Sequence, residues 1–141
     1  MTEQPQDDAA ARVWKAMRVL VLEKEDRRRE TAEVLGLSFF RARALRRLLR
    51  GPLPMRELAA RLSTEKPYLT LLVDDLEKRG YVVRTPHPED RRSKIVALTE
   101  EGARVAAEAE AILARPPAGL LTLDPDDLAA LDRITAALVR P

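Results

Sequence analysis

The 141-residue chain has no cysteine and a single histidine, His87. Without cysteine, disulfides, zinc-thiolate centres and a thiol nucleophile are excluded. With one histidine, the usual catalytic triads and every multi-histidine metal site go too. There is no phosphate-binding glycine loop and no nucleophile with a base beside it, so the sequence predicts neither an enzyme nor a cofactor or metal. Aromatic residues make up only 4%, which leaves a core of Leu, Val, Ala and Ile. The longest apolar run is a few residues and the start is acidic and polar. The sequence therefore predicts no membrane span and no secretory signal, and a cytoplasmic chain. A hydrophobic share of 45% argues against wholesale disorder, and the length suits one compact domain.

The charge is unevenly spread. Between Gly36 and Lys94 lie 14 Lys and Arg against 7 Asp and Glu, whereas the remainder carries 11 against 16. A basic middle between acidic flanks points to a polyanion-binding centre, against the plainer alternative of a solvated, Arg-rich surface.

Residues 1–8 are expected to fray. From Ala9, the spacing of Ala10, Val13, Trp14, Met17, Leu20 and Val21 predicts a helix, which the charged run Glu23 to Glu30 can extend. Gly36 interrupts. Ser38 is placed to cap a second helix with Phe39, Ala42, Leu45, Leu48 and Leu49 as its buried stripe. A third helix, Met55 to Leu62, is followed by Ser63 or Thr64 as the cap of a fourth, which carries Pro67 in its first turn and ends at Gly80. This pair reads as helix-turn-helix. Tyr81–Thr85 and Lys94–Leu98 then alternate as strands around a charged tip. Thr99 caps a helix with Val105, Ala109, Ile112 and Leu113 inward. Pro116, Pro117 and Gly119 break it, and Asp124 with Pro125 starts the last helix, striped by Leu128, Leu131, Ile134 and Leu138. The fold class is mainly α with a small β-hairpin wing: a winged helix-turn-helix flanked by terminal helices.

Three stretches carry a resemblance: Gly51-Pro-Leu-Pro-Met-Arg-Glu-Leu-Ala-Ala-Arg-Leu, Leu72-Val-Asp-Asp-Leu-Glu-Lys-Arg-Gly-Tyr-Val and Pro88-Glu-Asp-Arg-Arg-Ser-Lys-Ile-Val-Ala-Leu-Thr-Glu-Glu-Gly. They resemble the core and wing of the MarR family of bacterial transcriptional regulators, over about residues 36–102. The Asp-Arg-Arg tip with Leu-Thr-x-x-Gly behind it is the most specific piece. The resemblance implies one MarR-like domain over 1–141. Residues of about 9–35 and 100–141 would be dimerisation helices, and about 36–99 the DNA-binding lobe. It further implies a homodimer whose wings splay over double-stranded DNA, and often a small aromatic or phenolic effector. Peroxide sensing through a thiol, used by some relatives, is excluded here.

In that frame the fourth helix enters the major groove. Its core stripe is Leu69, Leu72, Val73 and Leu76, which sets Pro67, Leu71 and Lys78 opposite, Thr70, Asp74 and Asp75 beside them, and Tyr68 to one side. Small hydroxyl residues and an Arg are common in the family where this chain has Pro67, Tyr68 and Leu71. Pro67 and Leu71 are read as apolar contacts to thymine methyls, with Thr70 and Tyr68 as hydrogen-bonding partners; the alternative is that Leu71 packs on a neighbouring element. Lys66 and Arg56 are read as phosphate contacts, and Lys94 likewise. Asp74 and Asp75 are expected to turn away, paired with arginines. By resemblance Arg91 or Arg92 enters the minor groove, while Asp90 braces the wing through an ion pair. Trp14, Met17 and Phe40 mark the effector pocket, with dimer or core packing as their plainer role. His87 is read as an ordinary loop histidine. Occlusion of a pseudo-palindromic, A·T-rich operator by a repressor is the leading expectation. A winged-helix module that binds protein without reading DNA is the alternative.

Overall fold

The computed structural model describes residues 5–141, and it is mainly helical with one small antiparallel sheet. Residues 5–8, expected to fray, form the first turn of α1 (Pro5–Val19); residues 1–4 lie outside the described residues. The extension of this helix through the charged run does not occur. α1 passes into a π turn at Leu20–Lys24, and α2 (Arg27–Leu35) starts afresh. Asp26 is the physical reason, because its carboxylate accepts hydrogen bonds from the Arg28 and Arg29 amides and so caps a new helix. Gly36, at φ 64°, ends α2 in the left-handed conformation that glycine adopts without strain.

α3 (Phe39–Leu48) opens as its sequence requires, with the Ser38 hydroxyl accepting from the Arg41 amide. Ala42, Leu45 and Leu48 are buried, joined by Ala44. Leu49 lies past the helix end and is exposed, and Phe39 is only half-buried. β1 (Leu53–Pro54) follows, then α4 (Met55–Arg61), α5 (Lys66–Lys78), β2 (Val82–Pro86) and β3 (Lys94–Leu98). The cap of α5 differs from the expected Ser63 or Thr64. Ser63 sits at φ 52°, unwinding the end of α4, and the N-cap position falls to Glu65, which makes no capping bond.

The sheet order is β1-β3-β2. β1, unpredicted, is two residues long and pairs Leu53 with Val96 and Pro54 with Ile95. Its place at the edge is where a proline is tolerated. α6 (Glu100–Ala114) leads away from the sheet, α7 (Ala118–Leu121) forms a short turn where only a break was expected, and α8 (Pro125–Leu138) ends the chain with Asp124 as its cap.

Leu45, Leu58, Leu62, Leu69, Leu72, Leu76, Val82 and Val96 are fully buried together between α3, α4, α5 and the sheet. This core fixes α5 against the hairpin. Thr99 ties the lobe to α6: its hydroxyl accepts from the Gly102 amide at 3.0 Å and donates to the Gly80 carbonyl at 2.6 Å. Thr99→Ala therefore removes a cap and an interelement bond. It is expected to cost about 1–2 kcal/mol, read as a lower urea midpoint with unchanged slope.

α1 and α8 contribute no buried residue. Val13, Trp14, Leu128, Ile134 and Leu138, from the apolar stripes of these two helices, are exposed on this single chain. Among the described residues, no helix is long and apolar enough to cross a membrane.

Candidate nucleic-acid interface

Alternation along β2 sets the wing against the recognition helix. Val82 is buried, Val83 is exposed, and Arg84 turns back toward α5. There its guanidinium meets Asp74 at 2.6 Å and Glu77 at 3.1 Å. Both carboxylates raise the Arg84 pKa, Glu77 most. Asp75 is held on the other side by Arg41 at 2.7 Å and Arg79 at 2.9 Å. Arg79 also reaches the Gly36 carbonyl, so the end of α2, α3 and α5 share one polar clasp. The two aspartates on the recognition helix are therefore paired with arginines, as their positions along it suggested.

The Arg41 guanidinium, with Arg79 second, holds the Asp75 carboxyl below its ordinary value near 3.8. The group is ionised in the fold at pH values where the unfolded chain takes up a proton. The stability it contributes is present above the ordinary value and is lost as pH falls through the lowered one. Asp26, Glu30 and Glu110 are shifted the same way by Arg28, Arg115 and Arg46. Melting temperature is expected to drop as pH falls below about 4, and Asp75→Asn to make that drop shallower. An unaltered profile in the variant would contradict it.

With these acids engaged, the positive groups are left facing one concavity. Arg56 at the start of α4, Lys66 in the first turn of α5, Arg84 on β2, and Arg92 and Lys94 from the wing line a cavity of about 320 Å³ with Met55, Thr70, Asp90 and Ser93. α5 begins without a side-chain cap, so its first amides are open to an anion at the positive end of the helix dipole. Arg84 is already held by Asp74 and Glu77. Four cations without an ion pair among the described residues, Arg56, Lys66, Arg92 and Lys94, therefore face one carboxylate at an uncapped helix start, a cradle that suits phosphate.

The wing tip is held differently from the expected ion pair. The Asp90 carboxylate accepts from the Arg92 amide at 3.1 Å, and its carbonyl accepts from the Ser93 amide at 3.0 Å. Asp90 makes no ion pair among the described residues; a carboxylate two residues ahead of an amide closes an Asx turn instead. His87 is half-buried, and its Nδ1 accepts from the Glu89 amide at 3.1 Å. The turn separates the two arginines: Arg92 lines the cradle, and Arg91, also exposed, does not.

On α5, Pro67 and Leu71 face outward, and Leu71 is 67% exposed, which rules out its packing on a neighbouring element of this chain. Thr70 donates its hydroxyl proton to the Lys66 carbonyl and keeps only acceptor capacity. Tyr68 is half exposed and meets Phe40 edge to face, with ring centroids 5.5 Å apart. Phe40 thus belongs to a pair with the recognition helix, whereas Trp14 lies exposed on α1 and Met17 half-buried there. Arg84 is the residue that sequence reasoning missed. Its signal was a charged side chain on the same strand face as Val82, an inward position that requires partners.

The sequence model of the MarR family matches residues 35–93. The HTH-type transcriptional regulator YhbI of Bacillus subtilis is 33% identical over 91 residues, 64% of this chain and 59% of that protein. The chain thus spans about three-fifths of the length of that curated relative. YusO from Bacillus subtilis has a similar crystal structure, with a TM-score of 0.72 and 26% identity over 96% of this chain and 97% of that one. The transcriptional repressor CouR, solved bound to a 23-mer DNA duplex, aligns with a TM-score of 0.71 and 27% identity over 99% of this chain and all of that one.

Proposed function

The chain belongs to the MarR family, and from that footing we propose that it is a sequence-specific, DNA-binding transcriptional regulator acting as a homodimer in the cytoplasm. The observation that carries this is the cradle of Arg56, Lys66, Arg84, Arg92 and Lys94 between an uncapped α5 and the wing. Phosphate contacts there set the position of α5 in the major groove, where Leu71 and Pro67 touch thymine methyls and Thr70 accepts a hydrogen bond. Arg91, outside the cradle, is the arginine free to enter the minor groove, where narrow A·T-rich sequence favours it. Asp90 fixes the tip.

The chain acts as one MarR-like domain, with the lobe at about 36–99 and the helices at about 9–35 and 100–141 forming the dimer. Support comes from α1 and α8, which bury nothing in one chain although helices of such length are marginal alone in water. A second copy covers Val13, Trp14, Ile134 and Leu138. Two copies read a pseudo-palindrome, and occupancy of a promoter represses it, as a repressor such as CouR suggests. A small aromatic or phenolic effector reaching Trp14, Met17 and Phe40 would press through Phe40 on Tyr68, and so on the recognition helix.

The exposed Pro67 and Leu71 favour a second reading, a module that binds protein through this face. Selection of bound duplexes from random DNA, followed by titration against salt, separates the two. A regulator enriches an inverted repeat, and its log affinity falls with log salt by about 0.9 per phosphate neutralised. No enrichment and a flat salt response would leave the protein-binding module.

A further inference from the structure

Arg43, Arg46, Arg47 and Arg50 recur at i, i+3, i+4 and i+7, so they form one stripe along α3 and just beyond it. With Leu49 and Glu110 they line a groove of about 290 Å³. Arg46 is engaged by Glu110 of α6 at 2.5 Å. Arg43, Arg47 and Arg50 form no ion pair among the described residues. The charge of Arg50 reaches the same place, since after Arg46 it helps hold Glu110 in its ionised form.

The helix dipole does not account for the stripe. Arg46 and Arg47 lie in the last turn, where cations are favoured, but Arg43 is a turn earlier and Arg50 lies past the cap at Leu49. Like charges at these spacings repel one another, so three unneutralised guanidiniums in a concavity make a site short of its anion. The direction of the groove identifies what kind. Arg41, which binds Asp75 of the recognition helix, projects from nearly the opposite side of α3. The two cavities share no residue. A duplex lying on α5 therefore does not lie along this stripe.

We propose that the groove binds the di- or triphosphate group of a small ligand: Arg43, Arg47 and Arg50 hold the phosphates, Arg46 keeps Glu110 neutralised, and the exposed Leu49 offers apolar surface to the rest of the molecule. This site does not depend on the DNA-binding role of the other face. Inorganic tripolyphosphate, titrated calorimetrically into the full chain against sulfate at matched ionic strength, tests it. One tripolyphosphate per chain is expected in this groove beyond any held by the Lys66 cradle, bound at least about tenfold more tightly than sulfate. The Arg43→Gln/Arg47→Gln/Arg50→Gln variant should lose that preference, with duplex affinity in the absence of tripolyphosphate unchanged. Lys66→Gln, in the other cradle, should retain tripolyphosphate binding. If the triple variant fails to fold by circular dichroism, Arg47→Gln alone should weaken binding about fivefold. Equal affinity for sulfate, survival of binding in the arginine variants, or its loss in Lys66→Gln would overturn the site. Weaker duplex binding by the folded triple variant would overturn it as well, because the stripe would then be a contact to nucleic-acid backbone.

Discussion

Gly102→Ala is expected to cost at least about 2 kcal/mol, a large part of the stability a domain this size possesses. On an exposed helix the same change would gain roughly 1 kcal/mol from helix propensity. Here the added Cβ would stand 1.8 Å from the Tyr81 carbonyl oxygen and 2.7 Å from its carbon, which are backbone atoms with no rotamer to change. Relief requires α6 to shift from the lobe. The Tyr81 carbonyl accepts from the Thr99 amide, and the Thr99 hydroxyl donates to the Gly80 carbonyl, so that shift breaks the joint at the start of α6. The Tyr81 amide is itself bonded to the Leu76 carbonyl, at the end of the recognition helix, which prevents Tyr81 from yielding. Urea unfolding measures the loss. A midpoint matching the parent would mean that α6 leaves Tyr81 more room than the geometry allows.

The Arg91→Ala/Arg92→Ala variant is expected to keep its fold and lose on the order of 100-fold in affinity for a selected operator. Both side chains are exposed, and the Asp90 turn is made with the backbone amides of Arg92 and Ser93, which alanine retains. The single variants should divide the effect. Arg92 lines the phosphate cradle, so Arg92→Ala should weaken all duplexes alike and lower the salt slope by about 0.9. Arg91 does not line it, so Arg91→Ala should mainly abolish the preference for A·T-rich flanks. Fluorescence anisotropy with flank-swapped duplexes resolves both. If Arg92→Ala flattened the flank preference and Arg91→Ala did not, the assignment of the two arginines would be reversed.

Local chemistry explains which features were legible in the sequence. Ser38, Thr99 and Asp124 each precede an apolar period and cap the helix they announce. Asp26 does the same work but is embedded among Glu23, Glu25, Arg27 and Arg28, where no apolar period restarts to expose it. β1 has two residues and a proline, and its pairing with β3 comes from a partner more than forty residues away. The core of α4 and α5 followed from periodicity because all its members lie within one lobe. The stripes of α1 and α8 were equally visible, yet they bury no residue inside a single chain. Lys66, Arg56, Arg92 and Lys94, singled out in the sequence one by one, line one concavity. Arg84 did not stand out because a lone arginine in a strand discloses its partners only when the facing helix is known.

The π turn at Leu20–Lys24, closed by the Glu25 amide on the Leu20 carbonyl at 3.0 Å, holds one residue more than an α-helical turn bonded in the same way. Each residue added to or removed from a helix rotates everything before it by about 100°. Deleting a single residue there would instead let the turn close as an ordinary α-helical one. The Val13–Trp14 edge of the arm then keeps close to its phase, while α2 and the lobe behind the Asp26 cap keep their places. The segment is therefore a slack link, in which the loss of one residue is absorbed before it reaches the face of the arm.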